Sequence, residues 1–249
     1  MKKVILALIR AFARLLPFSQ RSTLAIEFLH PFNYQTDKNR EELIKLLEYD
    51  NTINVCLSRA ACESNGGEHP KHRLMRYADF FSERIVDGES VIDIGCGNGY
   101  VALNVASGHP QSKILGIDHN PVNIEAARKK NTLSNLSFIL GDFYRDLPRE
   151  KFDKIILSNV LEHIDKRPEF LKEVIGSTGA REILIRVPLF DRDWKVPLKK
   201  ELGIESRLDN THFIEYTQEV FLDEMREAGL KIKHMEIRWS EIWAHLEVA

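Results

Sequence analysis

Residues 91–100 read VIDIGCGNGY, in which a short apolar run ends in an acid and glycines then recur at every second position. The acid is Asp93, and the turn that follows contains Gly95, Cys96 and Gly97. Glycines permit a sharp turn and let a ligand approach the backbone without a Cβ in the way. A carboxylate just before the turn repels phosphates and favours a cationic ligand. The stretch therefore predicts a site for a small molecule that carries positive charge.

Two further acids end the apolar runs that follow, Asp118 in ILGID and Asp142 in LGD. In parallel sheets, ligands bind at the carboxyl ends of the strands, where an acid can accept hydrogen bonds from ribose hydroxyls. A single acid in such a place is often only the cap of the next helix. Three acids at three successive strand ends favour a nucleoside site.

A nicotinamide-dependent oxidoreductase is the main alternative, since it uses a similar sheet and a glycine-rich turn. Its dinucleotide fingerprint has the spacing GxGxxG. Counted from Gly95, the third glycine of that pattern would fall at Tyr100. Tyr100 in place of the third glycine, together with the carboxylate of Asp93, argues against the binding of a pyrophosphate group. A second alternative is a protein that binds the ligand but catalyses no reaction. The presence of all three acids argues against it.

Histidines supply candidates for proton transfer. His212 lies in RLDNTHFIEYT, close to Asp209, and a histidine oriented by an acid is the usual form of a general base. His163, in NVLEHI, follows the fourth predicted strand. Structural roles, such as capping a helix or holding a loop, are open for both. A third histidine-containing segment, GEHPKHR at 67–73, is interpreted as a helix entry loop or as a lid.

The elements that must position these residues alternate between strand and helix, which indicates βαβ units and a parallel sheet. The predicted strands are 90–94, 113–117, 136–140, 153–157 and 182–187. The predicted helices among them are 98–107, 121–132 and 168–177. An amphipathic helix over 217–230 precedes two segments, KIKHMEIRWS and EIWAHLEVA, which favour an antiparallel strand pair at one sheet edge.

Residues 1–88 are predicted to form an N-terminal helical extension, and residues 89–249 the ligand-binding domain. The extension includes a helix over 73–85 and begins with a basic amphipathic segment, residues 1–21. Its apolar run is too short to span a membrane, but it could lie on an anionic surface or dock on the core.

The composition narrows the function classes further. A net charge of −2 argues against a dedicated nucleic-acid binder. Three scattered cysteines are too few for a disulfide framework or a zinc site and favour a reducing cytoplasm. The sequence predicts no metal centre.

The motifs VIDIGCGNGY, LGIDHNP, LGDF and FDKIILSNVLEHI resemble, in order and spacing, those of class I S-adenosylmethionine-dependent methyltransferases. The resemblance covers about residues 75–185. It implies a Rossmann-like sheet of seven strands, mostly parallel with the last strand antiparallel, and S-adenosylmethionine as the methyl donor.

The resemblance also assigns cofactor-binding positions. Those on the methionine side are Asp93, Gly95, Cys96 and Gly97. Those at the ribose and adenine are Asp118, His119, Asn120, Asp142 and Phe143. Ser158 and Asn159 would face the sulfonium and the acceptor, and His212, His163 and Asp209 are the candidate catalytic residues.

The acceptor is predicted as an oxygen of a small molecule, sugar or lipid-linked compound. Residues 187–209 are expected to form its pocket, with Trp194 and Phe190 suited to a sugar face or an apolar wall. DRDWKVPLKKELG, DNTHFIEYT and RWSEIWA resemble, more loosely, an uncharacterised bacterial methyltransferase group linked to cell-surface polysaccharide and glycolipid synthesis.

Overall fold

The computed structural model describes residues 16, 17, 20, 39–148, 150–207 and 209–249. The basic segment 1–21 falls almost wholly outside these residues, so its contact with a membrane stays a prediction. Within the described ranges, no helix combines the length and the apolar character needed to cross a membrane.

In this part of the chain, seven strands form one sheet: β1 Ser90–Ile94, β2 Lys113–Asp118, β3 Leu136–Leu140, β4 Lys154–Ser158, β5 Glu182–Pro188, β6 Leu230–Arg238 and β7 Glu241–Val248. Their order is β3-β2-β1-β4-β5-β7-β6. β1 to β5 run parallel, and β7 runs antiparallel to β5 and β6. The predicted Rossmann-like sheet with an antiparallel last strand is confirmed.

The helices of the described ranges are α1 Asn39–Ser64, α2 Lys71–Met75, α3 Tyr77–Ser82, α4 Tyr100–Gly108, α5 Pro121–Lys130, α6 Arg167–Thr178, α7 Lys195–Leu202 and α8 Gln218–Glu227. Buried side chains of α3, α4 and α5 pack on one face of the sheet. Those of α6 and α8 pack on the other. The central strands are apolar on both faces because helices cover both.

The segment before β1 differs from the prediction of one helix over 73–85. Arg76 has a left-handed backbone, with φ 52°, and separates α2 from α3. Its N–H donates to the His72 carbonyl and ends the first turn. The break turns Tyr77, Phe80 and Phe81 into the core beside Trp243.

Helix α7 lies in the segment that was expected to form the acceptor pocket, and it is joined to α1 by charge. Lys195 Nζ and Lys199 Nζ donate to the two carboxylate oxygens of Asp50, at 3.0 and 3.2 Å. Lys199 also donates to Asn51 Oδ1 at 2.6 Å. These bonds attach α1 to α7, which follows the carboxyl end of β5.

The reversed direction of β7 brings the end of the chain to the amino ends of the parallel strands. Glu247 pairs with Glu182, the first residue of β5. The N–H of Ala249 donates to the Gly229 carbonyl at 2.9 Å.

Candidate functional site

The glycine turn after β1 combines two different demands on its backbone. Gly95 and Gly97 both have positive φ, 69° and 54°. A Cβ at Gly95 would lie 2.6 Å from Val160 Cγ2, so packing excludes a side chain there. A Cβ at Gly97 would meet no atom within 4 Å, so this glycine borders open space. Gly97 is the point at which a ligand can approach the turn.

Asp93 ends β1 as a buried acid, with 1% of its surface exposed. Neither of its carboxylate oxygens has a hydrogen-bond partner among the described residues. Burial raises the pKa of Asp93 to about 8, and the nearby charge of Asp118 adds to the effect. A buried acid without a partner is costly, so this position favours a ligand that brings positive charge.

Asp118 ends β2 beside the glycine turn, as predicted. Its Oδ2 accepts the Gly97 N–H at 2.9 Å, and its Oδ1 accepts the Asn120 N–H at 2.8 Å. The carboxylate therefore ties the ends of two adjacent strands together. Since a carboxylate offers about four acceptor positions, it keeps capacity for further donors.

Other residues predicted at the cofactor have local partners. Asn120 caps α5, since its Oδ1 accepts the Val122 N–H at 2.9 Å, while His119 is exposed beside it. Asp142 is exposed and accepts the Tyr144 N–H at 2.8 Å. Phe143 packs edge-on against Phe170 in the core. Cys96 is buried, burial raises the pKa of its thiol, and its Sγ donates to the Gly97 carbonyl at 3.8 Å.

Ser158 and Asn159 lie at the end of β4, at the same carboxyl end of the sheet as Asp93 and Asp118. Asn159 has a left-handed backbone, with φ 56°, and its Oδ1 accepts a hydrogen bond from Arg186 Nε at 3.0 Å. Arg186 is buried on β5, its guanidinium 3.6 Å from the centre of the Tyr77 ring. Its Nη1 has no hydrogen-bond partner in the described ranges. A strained residue and a buried guanidinium nitrogen without a hydrogen-bond partner, both at the carboxyl end of the sheet, are typical of a functional site.

The two predicted catalytic histidines lie together at this end of the sheet, although they are far apart in sequence. The rings of His163 and His212 are nearly perpendicular, with centroids 4.5 Å apart. His163 belongs to a 3₁₀ turn, Leu161–His163, that follows β4. The Phe213 N–H donates to the Glu162 carbonyl at 2.7 Å and so holds the His212 loop against this turn.

The acids that orient the two rings differ from the predicted arrangement. His212 Nδ1 lies 2.9 Å from Glu215 Oε1, so Glu215 rather than Asp209 is its carboxylate partner. His163 Nδ1 lies 2.9 Å from Thr211 Oγ1, which in turn donates to Asp209 Oδ1 at 2.7 Å. Asp209 thus acts on His163 through Thr211. Burial lowers the pKa of His163, and the neighbouring His212 lowers it further.

Three residues of the site are not among the predicted site residues: Glu162, Glu215 and Arg186. Glu162 is fully buried, and neither of its oxygens has a partner among the described residues. Burial raises the pKa of Glu162 to about 8. A signal existed for Arg186, which interrupts an otherwise apolar strand. Glu162 is part of the NVLEHI motif, but the sequence does not indicate that its side chain is buried.

Comparison with known proteins gives a consistent result. The family model for a methyltransferase domain matches residues 85–185. The chain is similar to pavine N-methyltransferase of Thalictrum flavum subsp. glaucum, with 35% identity over 101 residues, 39% of this chain and 28% of that protein. It is 32% identical over 97 residues to the ribosomal protein L11 methyltransferase of Burkholderia thailandensis, 39% of this chain and 31% of that protein.

Among solved structures, magnesium protoporphyrin IX methyltransferase of Synechocystis PCC 6803, with bound SAH, has a TM-score of 0.57 at 14% identity. The match covers 70% of this chain and 83% of the magnesium protoporphyrin IX methyltransferase chain. At such identity the likeness shows the fold. The chain spans less than a third of the length of the two curated relatives. The family match ends before α7, and so before His212.

Proposed function

We infer that the protein is an enzyme that transfers a methyl group from S-adenosylmethionine to a small-molecule acceptor, because residues 85–185 match the family model for a methyltransferase domain. The observation that carries the proposal is the pair of acids at the glycine turn. Asp93 is buried without a partner, and Asp118 lies beside it next to the open side of Gly97. We assign residues 89–249 to the catalytic domain and residues 1–88 to an extension.

The residues of the turn fit this cofactor. S-adenosylmethionine brings a methyl group activated by a sulfonium, together with an ammonium group and a ribose. The ammonium group would supply the positive charge that Asp93 lacks. Asp118 would accept the ribose hydroxyls with the capacity that its bonds from two backbone N–H groups and from Asn123 Nδ2 leave free. By position, Asp142 and Phe143 would border the adenine.

The transfer is a displacement at the methyl carbon, so the protein must align the acceptor and exclude water. Ser158 and Asn159 are the proposed contacts of the sulfonium and the acceptor. His163 and His212 are the proposed catalytic residues, since histidine is the side chain that most often takes the proton of an attacking group. Asp209 is then a positioning residue, because it reaches His163 through Thr211.

The acceptor atom that we propose is an oxygen, because a hydroxyl must lose a proton and the histidine pair provides for that loss. The curated relatives include a nitrogen methyltransferase and a ribosomal protein methyltransferase, so their names do not assign the atom. A sugar or a lipid-linked acceptor stays a prediction. The side chain of Trp194 is exposed. The Nζ atom of Lys200 lies 5.0 Å from the centre of the Phe190 ring. A cytoplasmic location is part of the proposal, supported by three free cysteines.

The test is calorimetric titration of the full chain with S-adenosylmethionine, SAH and NADH in parallel. We expect micromolar binding of the first two and none of NADH. Binding of NADH alone would refute the proposal, and so would the absence of binding by a folded chain. Asp118→Ala should weaken S-adenosylmethionine binding by about 1–3 kcal/mol.

Asp153→Ala is the matched control for Asp118→Ala. Asp153 also accepts a backbone N–H, from Ser90 at 2.8 Å, but at the amino end of the sheet. It should lose stability without losing affinity. Equal affinity of the Asp118 variant and the control would contradict the ribose assignment.

A further inference from the structure

Glu162, His163 and His212 each direct one potential ligand atom into the same small volume. The three atoms, a carboxylate oxygen and two imidazole nitrogens, lie within 4.8 Å of one another. Two ligands of one tetrahedral zinc ion, with bonds of roughly 2.1 Å, are about 3.4 Å apart. Binding an ion would therefore draw the three atoms closer together. We propose that these three residues bind a divalent transition-metal ion.

The hydrogen bonds of the two rings set them up as ligands. Glu215 can only accept, so His212 donates to it through Nδ1–H. Thr211 Oγ1 gives its proton to Asp209 and therefore accepts one from His163 Nδ1–H. Each ring is then the tautomer whose Nε2 carries a lone pair. Histidine ligands of metals are oriented by acids and hydroxyls in this way.

Glu162 supplies an observation that is independent of the histidines. Its side chain is completely buried, and neither oxygen accepts a hydrogen bond from any described residue. The nearest cation that acts on it is Arg186, which already lies 3.3 Å from Glu241 Oε2. Buried acids are found paired or bound to metals, because an isolated charge is too costly. An ion at this position would supply the missing partner.

The chemistry of the donors selects the kind of ion. One carboxylate and two imidazoles suit Zn²⁺, Mn²⁺ or Fe²⁺, whereas Mg²⁺ prefers oxygen ligands. Three protein ligands leave at least one position open, which is typical of a catalytic site rather than a structural one. Two of the ligands follow β4 and the third lies in the loop before α8, at the carboxyl end of the sheet where the acceptor is expected. A hydroxyl bound to the ion would lose its proton more easily, and that proton would pass to solvent because both histidines would then be ligands rather than bases.

The experiment measures ion binding by the full chain without any cofactor, so its failure would leave methyl transfer standing. The chain is stripped with a chelator and titrated with Zn²⁺, Mn²⁺ and Mg²⁺ in a calorimeter. Co²⁺ is added in parallel, because its absorption spectrum distinguishes nitrogen and oxygen ligands from the thiolates of Cys56 and Cys62. We expect one Zn²⁺ per chain, with Mg²⁺ weaker, and a Co²⁺ spectrum without a thiolate band.

Variants locate the ion. Glu162→Gln keeps the shape of the side chain and should lower Zn²⁺ affinity at least 100-fold, while Thr211→Val should lower it about 10-fold. His163→Gln serves as a second ligand variant, and thermal melts confirm that each variant is folded. His245→Gln is the matched control, since His245 is half-buried and bound to an acid, Glu182, at the opposite end of the sheet.

Two outcomes would overturn the proposal. In the first, the folded wild-type chain binds none of the ions, and Glu162 is a neutral acid that fills space. In the second, an ion binds but Glu162→Gln and His163→Gln bind it as tightly as His245→Gln. That result would place the ion on surface histidines or cysteines.

Discussion

At the amino ends of the parallel strands Glu182 is surrounded by cations, whereas at the carboxyl ends Asp93 and Glu162 are buried with no hydrogen-bond partner in the described ranges. Burial by itself raises the pKa of Glu182, but hydrogen bonds from Lys233, His245 and Lys154 lower it to about 2. The pKa of Asp93 and that of Glu162 are each raised to about 8.

The two ends of the sheet therefore use acids for different purposes. A paired acid stabilises the fold, because its partners favour the charged form more than burial opposes it. An acid buried alone weakens the fold until a ligand brings the missing charge. A cavity of about 460 Å³ opens at the amino end, lined in part by Lys154 and Glu182. Its charges already satisfy one another, so we do not place the active site there.

Removing the paired acid should have the largest effect on stability. Glu182→Gln leaves Lys154, Lys233 and His245 without one of their acceptors and should lower the free energy of unfolding by about 1–3 kcal/mol at neutral pH. Urea denaturation measures the change. Glu125→Gln, on the exposed face of α5, is the control and should change little. A Glu182 variant as stable as this control would remove the contrast between the two ends.

The pH dependence of stability should have opposite signs at the two ends. The pKa of Glu182 in the folded chain lies below its ordinary value of 4.5, so its contribution is present above pH 4.5 and is lost as the pH falls toward 2. The pKa of Asp93 lies above its ordinary value of 3.8, so its contribution is present below pH 3.8 and is lost as the pH rises toward 8.

Urea denaturation across this pH range, without cofactor and with a chelator, tests both signs. The deficit of Glu182→Gln relative to the wild type should shrink in acid. Asp93→Asn should gain stability relative to the wild type as the pH rises from about 4 to about 8. If the differences in stability between each variant and the wild type changed in the same direction with pH, Asp93 would not contribute with the opposite sign to Glu182.

The smallest expected effect on stability concerns the glycine that borders open space. Gly97→Ala and Gly203→Ala both place a Cβ on a left-handed backbone with no atom within 4 Å. Each should lower the free energy of unfolding by about 1 kcal/mol. Only Gly97→Ala should also weaken S-adenosylmethionine binding, because its Cβ occupies the approach to the turn. Equal affinities in the two variants would show that the ligand does not approach Gly97.

The sequence predicts the sheet well because its signals are local. The strand over 90–94 and the strand over 136–140 are predicted to the residue, since apolar runs and glycine turns delimit them. The break at Arg76 was missed because a left-handed arginine has no sequence signature. Helix α7 was not predicted, because residues 187–209 were interpreted only as an insertion that forms the acceptor pocket.

The site is only partly predictable, because its contacts join distant segments. Asp93, Asp118 and the glycine turn follow from position at the strand ends. The pairing of His212 with Asp209 was inferred from their closeness in sequence, but Asp209 bonds to Thr211 instead, and Glu215 takes its place. Glu162 becomes conspicuous only when folding buries it and leaves it without a partner.

The reversed last strand has a practical consequence for experiments on the intact chain. Because β7 returns to the amino ends of the parallel strands, Ala249 lies on the far side of the sheet from Asp93 and His212. A dye, a linker or a solid support attached there would leave the mouth of the site facing the solution. Surface-based binding assays should therefore anchor the protein through this residue.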